Sequence, residues 1–352
     1  MVGKVHKNSP ATIVLVTLLL IYVGFVMLSA CGPAPAPATQ SIPSSATETY
    51  TPPPTATQPL SSTPPHTPSP SITPLPSDTP TASMTPTPEG IQFAVIGDYG
   101  QGEQAEQDVA NLVKSWSPQF VITVGDNNYP SGAPETIDQN VGQFYQEFIY
   151  PYTGQYGPGA QQNRFFPTLG NHDWDINAAQ AYFDYFSLPG NERYYDFVYG
   201  PVHFFALSSD SREPDGVGAS TGQALWLKER LATSTAPWKL VYGHHPPYSS
   251  GPRGPVDWMR WPFKDWGATI YLAGHDHYYE RLELEGFPYI INGLGGGPIY
   301  AFGDIAEGSL VRYNAEWGAM LVFADRRQIT FQFINRQGQV IDYFELTAEN
   351  NG

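Results

Sequence analysis

The sequence predicts an α/β fold in four layers, α/β/β/α: two mixed β-sheets packed face to face and flanked by helices. Three observations carry this. Short apolar runs of strand length recur from residue 91 to residue 346, several of them ending at a glycine followed by a polar residue. Two stretches with helical spacing of apolar residues lie between runs, as in βαβ units with parallel strands. Beyond residue 279 the helical pattern stops and strand-like runs follow one another.

Residues 91–96, IQFAVI, form the first apolar run and end at Gly97-Asp98. Residues 103–116 then place Val109, Leu112 and Val113 at helical spacing, and residues 120–124 form a second run ending at Gly125-Asp126. Strand, helix and strand in that order make a βαβ unit, whose functional loops lie at the carboxyl ends of its strands. The grammar returns with a strand at 202–207, an amphipathic helix at 223–232, a strand at 238–242 ending at Gly243-His244, and another at 269–272 followed by Gly274-His275. Four glycine-led polar residues therefore stand just past strand ends. The runs 287–291, 319–323, 329–333 and 340–346 read as successive strands of a mainly antiparallel sheet.

The chain front is built differently. Residues 1–31 carry Lys4 and Lys7, an apolar run from Ile13 to Leu28, and then Leu28-Ser29-Ala30-Cys31, the layout of a secretory signal with small residues before its cleavage point. Cys31 is the only cysteine, so it has no intramolecular disulfide partner. Its position resembles the lipobox of bacterial lipoproteins, which implies lipidation at Cys31 and a membrane anchor. An uncleaved single helix or an ordinary secretory signal fits the same run, and all three place the body outside the cytoplasm. Residues 32–90 are dominated by Pro, Thr and Ser and read as a disordered, partly polyproline II tether. The catalytic body is expected at 91–348.

Most of the formal charge of −16 belongs to that body, because Glu48, Asp78 and Glu89 against Lys4 and Lys7 leave only −1 before residue 91. An acidic surface disfavours nucleic acid, whose backbone is bound by neutralising Lys and Arg. It is compatible with a small phosphorylated substrate drawn to a local cation.

The polar residues at the strand ends have ligand chemistry. Asp98 stands in GDYG, Asp126 and Tyr129 in GDNNY, Asn171 and His172 in GNHD, His244 and His245 in VYGHH, and His275 and His277 in GHDH. Any one patch is ordinary: an Asp after a strand is commonly a turn residue, and a lone histidine pair is commonly solvated. Together they supply carboxylates, a phenol, an amide oxygen and imidazoles, a mixed set suited to two ions such as iron with zinc or manganese. Adjacent residues on extended backbone point to opposite sides, so His244 is expected to be a ligand and His245 an outer or substrate-side group. The H-x-H spacing sends His275 and His277 to one side, one for each ion. His203, inside an apolar strand, reads as a satisfied core histidine.

Read in order, these blocks resemble the five signature blocks of the purple acid phosphatases, within the calcineurin-like metallophosphoesterase superfamily, across residues 91–300. Tyr129 points to the purple acid branch, and GDYG replaces the D-x-H usual in other branches. The compact blocks are similar to the small, tartrate-resistant type. The resemblance implies a metallophosphoesterase sandwich in which Asp98, Tyr129 and His277 hold trivalent iron and Asn171, His244 and His275 hold a divalent ion, iron, zinc or manganese. Asp126 would bridge both. It further implies that His172 contacts the substrate phosphate or aids the leaving group, while His245 occupies a variable position. The activity implied is dimetal-dependent hydrolysis of phosphate monoesters by a metal-bound hydroxide, in a monomeric, membrane-tethered acid phosphatase. Phosphodiester or nucleotide hydrolysis is the rival within the superfamily, and a non-catalytic surface scaffold is the rival outside it.

Overall fold

The computed structural model describes residues 90–348, so the expected signal segment, Cys31 and all but the last residue of the tether lie outside the described residues. IQFAVI is strand β1 (Ile91–Ile96), and α1 (Gln104–Ser115) leads to β2 (Phe120–Thr123). A short helical passage containing α2 (Gln143–Tyr145) precedes β3 (Phe165–Pro167), α3 (Asn171–Trp174) and α4 (Gln180–Tyr185). The second half begins with β4 (Tyr195–Tyr199) and β5 (Val202–Ala206), followed by α5 (Gly222–Thr233), β6 (Trp238–Tyr242) and β7 (Ile270–Ala273). The remaining strands are β8 (Tyr279–Leu284), β9 (Phe287–Asn292), β10 (Ser309–Tyr313), β11 (Gly318–Ala324), β12 (Gln328–Asn335) and β13 (Val340–Thr347).

Two mixed sheets result. The first has the order β13-β12-β11-β1-β2-β3, and the second β10-β8-β9-β7-β6-β5-β4. In the first, β1, β2 and β3 are parallel; in the second, β5, β6, β7 and β9 are parallel. Alternation along each strand builds the layers. Phe93 and Val95 of β1 enter a core shared with Phe204 and Ala206 of β5, so this core lies between the sheets. Ala94 and Ile96 point the other way, onto Val109 and Val113 of α1. Phe205 and Leu207 likewise meet Ala224, Leu227 and Leu231 of α5. The four-layer sandwich follows from this two-residue period.

The sheet assignment of the last strands differs from expectation. Three of these runs, as β11, β12 and β13, form an antiparallel series that completes the first sheet by pairing β11 with β1. The run at 287–291 becomes β9 in the second sheet, parallel to β7. Apolar alternation says which side of a strand is buried but not which strand lies beside it. His203 behaves as a satisfied histidine, bonded to Asp196 at 2.7 Å and to Ser234 at 2.8 Å.

Candidate metal centre

The carboxyl ends of the parallel strands of both sheets point to one place. Asp98 follows β1 and Asp126 follows β2, while His244 and His245 follow β6 and His275 and His277 follow β7. Asp98, Asp126 and His275 have φ of 54°, 52° and 71°, the sparsely populated left-handed region, so each turn aims its side chain at a strain cost. Gly274 lets the histidine loop touch the first sheet: a Cβ there would run into Asp98 Oδ2 and lie 2.8 Å from the Val124 carbonyl oxygen.

One group of side chains gathers around Tyr129. Its hydroxyl lies 3.0 Å from His277 Nε2, 3.1 Å from Asp126 Oδ2 and 3.4 Å from Asp98 Oδ1, and His277 Nε2 is 3.3 Å from Asp98 Oδ1. A second group gathers around Asn171. Its Oδ1 is 3.1 Å from His244 Nε2 and 3.0 Å from His275 Nδ1, and those two nitrogens are 3.2 Å apart. Asp126 belongs to both, because its Oδ2 is also 3.3 Å from His244 Nε2.

These spacings fit a cation at each group. Ligand atoms about 2.1 Å from one ion and about 90–110° apart are separated by about 3.0–3.4 Å. The bonding pattern agrees: His244 donates Nδ1–H to the Val124 carbonyl at 2.8 Å, and His277 donates Nδ1–H to the Pro298 carbonyl at 2.7 Å. Both Nε2 atoms thus turn inward, toward carboxylate and amide oxygens that are acceptors themselves. With neutral imidazoles, acceptors would face acceptors in a buried pocket, so positive charge is needed there, as a bound cation or as an imidazolium proton.

The titration of the site carries the same message. Burial works against a charged His244, yet Asp126 and Asp98 outweigh it and raise the imidazole to about 9. Burial also opposes ionisation of Asp126, and the neighbouring His244 and His172 nevertheless hold it below the usual carboxylate range. Burial, then the Asp126 and Asp98 carboxylates, push Tyr129 well above an ordinary phenol, so only a strong cation would make it a phenolate. Burial and His244 depress His245 to about 3, and the same two causes hold His275 well below its ordinary value.

Every residue expected at the site is therefore in this one pocket, with two differences of detail. His244 and His245 do not diverge: past β6 the backbone is no longer extended, and His245 offers a ring nitrogen within 4.8 Å of those of His244 and His275. His275 and His277 do serve different groups, but through the left-handed turn at His275 rather than extended backbone. His172 stands at the edge with its side chain 28% exposed, donating Nδ1–H to the Pro130 carbonyl at 2.6 Å and holding Nε2 3.9 Å from Asp126.

Several supporting residues were not expected. Asp173 accepts the Gly170 N–H at 2.8 Å and the Asn127 amide at 2.8 Å, tying the GNHD turn to GDNNY; burial, then the Asp126 charge, raise it to about 7. Ser209 Oγ accepts the backbone N–H of His244 and His245 at 3.1 and 2.9 Å. Arg212 donates to Asp210, to Asp175 and to the Asn171 carbonyl at 2.7–2.9 Å, and so fixes the strand-to-helix turn that carries Asn171. Tyr300 stacks on His277 at 4.1 Å. Asn127 and Asp173 sit inside quoted blocks and were visible there, whereas nothing in the sequence around Ser209, Arg212 or Tyr300 signals its partner.

The sandwich, with polar strand-end loops meeting in one buried pocket, has counterparts among known proteins. Residues 91–279 match the calcineurin-like phosphoesterase family. Similar curated proteins include tartrate-resistant acid phosphatase type 5 of Homo sapiens, 26% identical over 242 residues, covering 58% of this chain and 73% of that protein. Among solved structures, the purple acid phosphatase PPD1 from yellow lupin seeds superposes with a TM-score of 0.59 at 19% identity, over 73% of this chain and 54% of that one. GAP50, the anchor in the inner membrane complex of Plasmodium, superposes with a TM-score of 0.58 at 18% identity, over 73% and 89%. The chain belongs to the calcineurin-like phosphoesterase family and is a hydrolase of phosphoesters, similar to the purple acid phosphatases.

Proposed function

We propose that the body hydrolyses phosphate monoesters with a pair of metal ions, as an acid phosphatase. The observation that carries this reading is the pair of ligand groups sharing Asp126. Asp98, Tyr129, His277 and Asp126 would hold trivalent iron, and Asn171, His244, His275 and Asp126 a divalent ion, iron, zinc or manganese. Bound there, such a pair neutralises phosphoryl oxygens and acidifies water.

The chain's own groups do the rest. His172, at the exposed edge and oriented by Pro130, is placed to contact a phosphoryl oxygen or hand a proton to the leaving group. His245, kept neutral beside the second group, is a further ligand or a base on the substrate side. Cys31, as a lipidated residue, and the tether from 32 to 90 would hold this body at the outer face of a membrane; fatty-acid labelling of wild type and not of Cys31→Ser tests that part.

Turnover of p-nitrophenyl phosphate beside its bis-ester, in wild type, Asp126→Asn and His172→Ala, tests the activity. The monoester is expected to be preferred, with Asp126→Asn inactive. Preference for the bis-ester would make the protein a phosphodiesterase. Inactivity on both with metals bound would make it a tethered binding domain.

A further inference from the structure

A cavity of about 960 Å³ lies behind the GHDH loop, and none of the candidate ligands lines it. Ser249 in its wall bonds to Asp276 and Tyr278, so that wall is the back of the GHDH loop. Arg253 is close to both the cavity and the candidate ligands. It lines the cavity, donates to the Tyr300 hydroxyl at 3.0 Å and lies over the Tyr300 ring, and that ring is stacked on His277 with an interplanar angle of 8°.

The bonding of Arg253 is incomplete. Its neighbour Arg260, also in the wall, pairs with Asp257 at 3.1 Å, donates to the Pro247 carbonyl and covers Tyr248. Arg253, which is exposed, has no ion-pair partner among the described residues, and its one protein hydrogen bond is to a neutral hydroxyl. A guanidinium offers five N–H groups in a rigid fork that matches a carboxylate or phosphate. Asp304 and Glu307 also line the cavity and repel anions near them, so an anion there is drawn to the guanidinium of Arg253.

We propose that Arg253 forms a second anion subsite, and that the substrate class is a small phosphate monoester whose leaving group carries another anionic group, carboxylate or phosphate, into this cavity. The proposal rests on the hydrolytic reading above. Its effect belongs to substrate choice rather than to bond cleavage, since the side chain of Arg253 bonds to Tyr300 and to none of the candidate ligands.

The test compares phenyl phosphate, 4-carboxyphenyl phosphate and 1,4-phenylene bisphosphate on the metal-loaded protein. Arg253→Gln is expected to lower kcat/KM for one or both doubly charged esters by about 10- to 100-fold, the worth of a charge-assisted hydrogen bond, and for phenyl phosphate by less than about twofold. Loss on the carboxylate ester alone or on the bisphosphate alone says which anion the subsite takes. Arg253→Lys, which keeps charge without the fork, recovers part of the loss. An equal change on all three esters, or none, overturns the subsite. Calorimetric titration with phenylphosphonate and 4-carboxyphenylphosphonate reads the same discrimination without turnover. A preference for the latter that Arg253→Gln removes supports the subsite even if every ester is left uncleaved, and no preference in wild type overturns it.

Discussion

At the scale of single residues, Tyr129 and Asp126 have separable roles. The Tyr129 hydroxyl meets only the group containing Asp98 and His277, whereas Asp126 Oδ2 meets both groups. On the proposed dimetal reading, Tyr129→Phe is therefore expected to lower occupancy of the group containing Asp98 and His277 by about tenfold or more while the other position stays filled, as metal analysis would record. Asp126→Asn should empty both positions. His172→Ala should leave metal content unchanged and slow turnover by about 10²- to 10⁴-fold, the usual worth of a positioned proton donor. The candidate ligands were legible because each follows a glycine within a short block. Arg212 was not, because its partners Asn171 and Asp175 are separated from it by 41 and 37 residues and only folding brings them together.

At the scale of elements, the site depends on loops that pack backbone against backbone. Gly274→Ala puts a methyl where Asp98 Oδ2 and the Val124 carbonyl already are. The loop must shift, and since His275 takes the Asp98 carboxylate through its own N–H at 2.9 Å, both ligand groups shift with it. Loss of metal by elemental analysis, with circular dichroism unchanged, is the expected result. The parallel strands were readable as continuous apolar runs because both their faces are buried. Strand β3 was not readable as a strand, having only three residues, and the edge strands β4 and β10 were not because exposed Val198 and Leu310 break the rule that apolar means buried. The partner of β11 was hidden for a different reason: β1 lies more than 200 residues earlier, and no local pattern encodes that pairing.

At the scale of the whole molecule, stability should depend on pH through Glu106. This side chain is fully buried at the start of α1, accepts the Gln101 and Gly102 N–H groups at 3.0 and 2.9 Å, and leaves Oε1 unpartnered. Burial raises its pKa well above an ordinary glutamate. The folded state then keeps a proton that the unfolded chain releases above about 4.3, so this group's contribution is present in full below that pH and is lost as pH rises toward the raised value. Glu106→Gln should flatten the decline in denaturation midpoint as pH rises above about 4.3; an unchanged slope would assign the decline to other groups.

The meeting of strand ends from both sheets has a mechanical consequence. Asp98 and Asp126 hang from the first sheet and His244, His275 and His277 from the second, so ions held between them act as rivets through the sandwich. Otherwise the sheets are joined by apolar packing and by a few polar ties, such as Arg281 to Asp342 and the Asn292 amide to the Val95 carbonyl. A rivet bound only by the folded state adds about 2.7 kcal/mol at a free concentration 100 times its Kd, equivalent to about 5–10 °C for a body of this size. Dialysis against a chelator should lower the melting temperature by that order, and restoring the ions should return it.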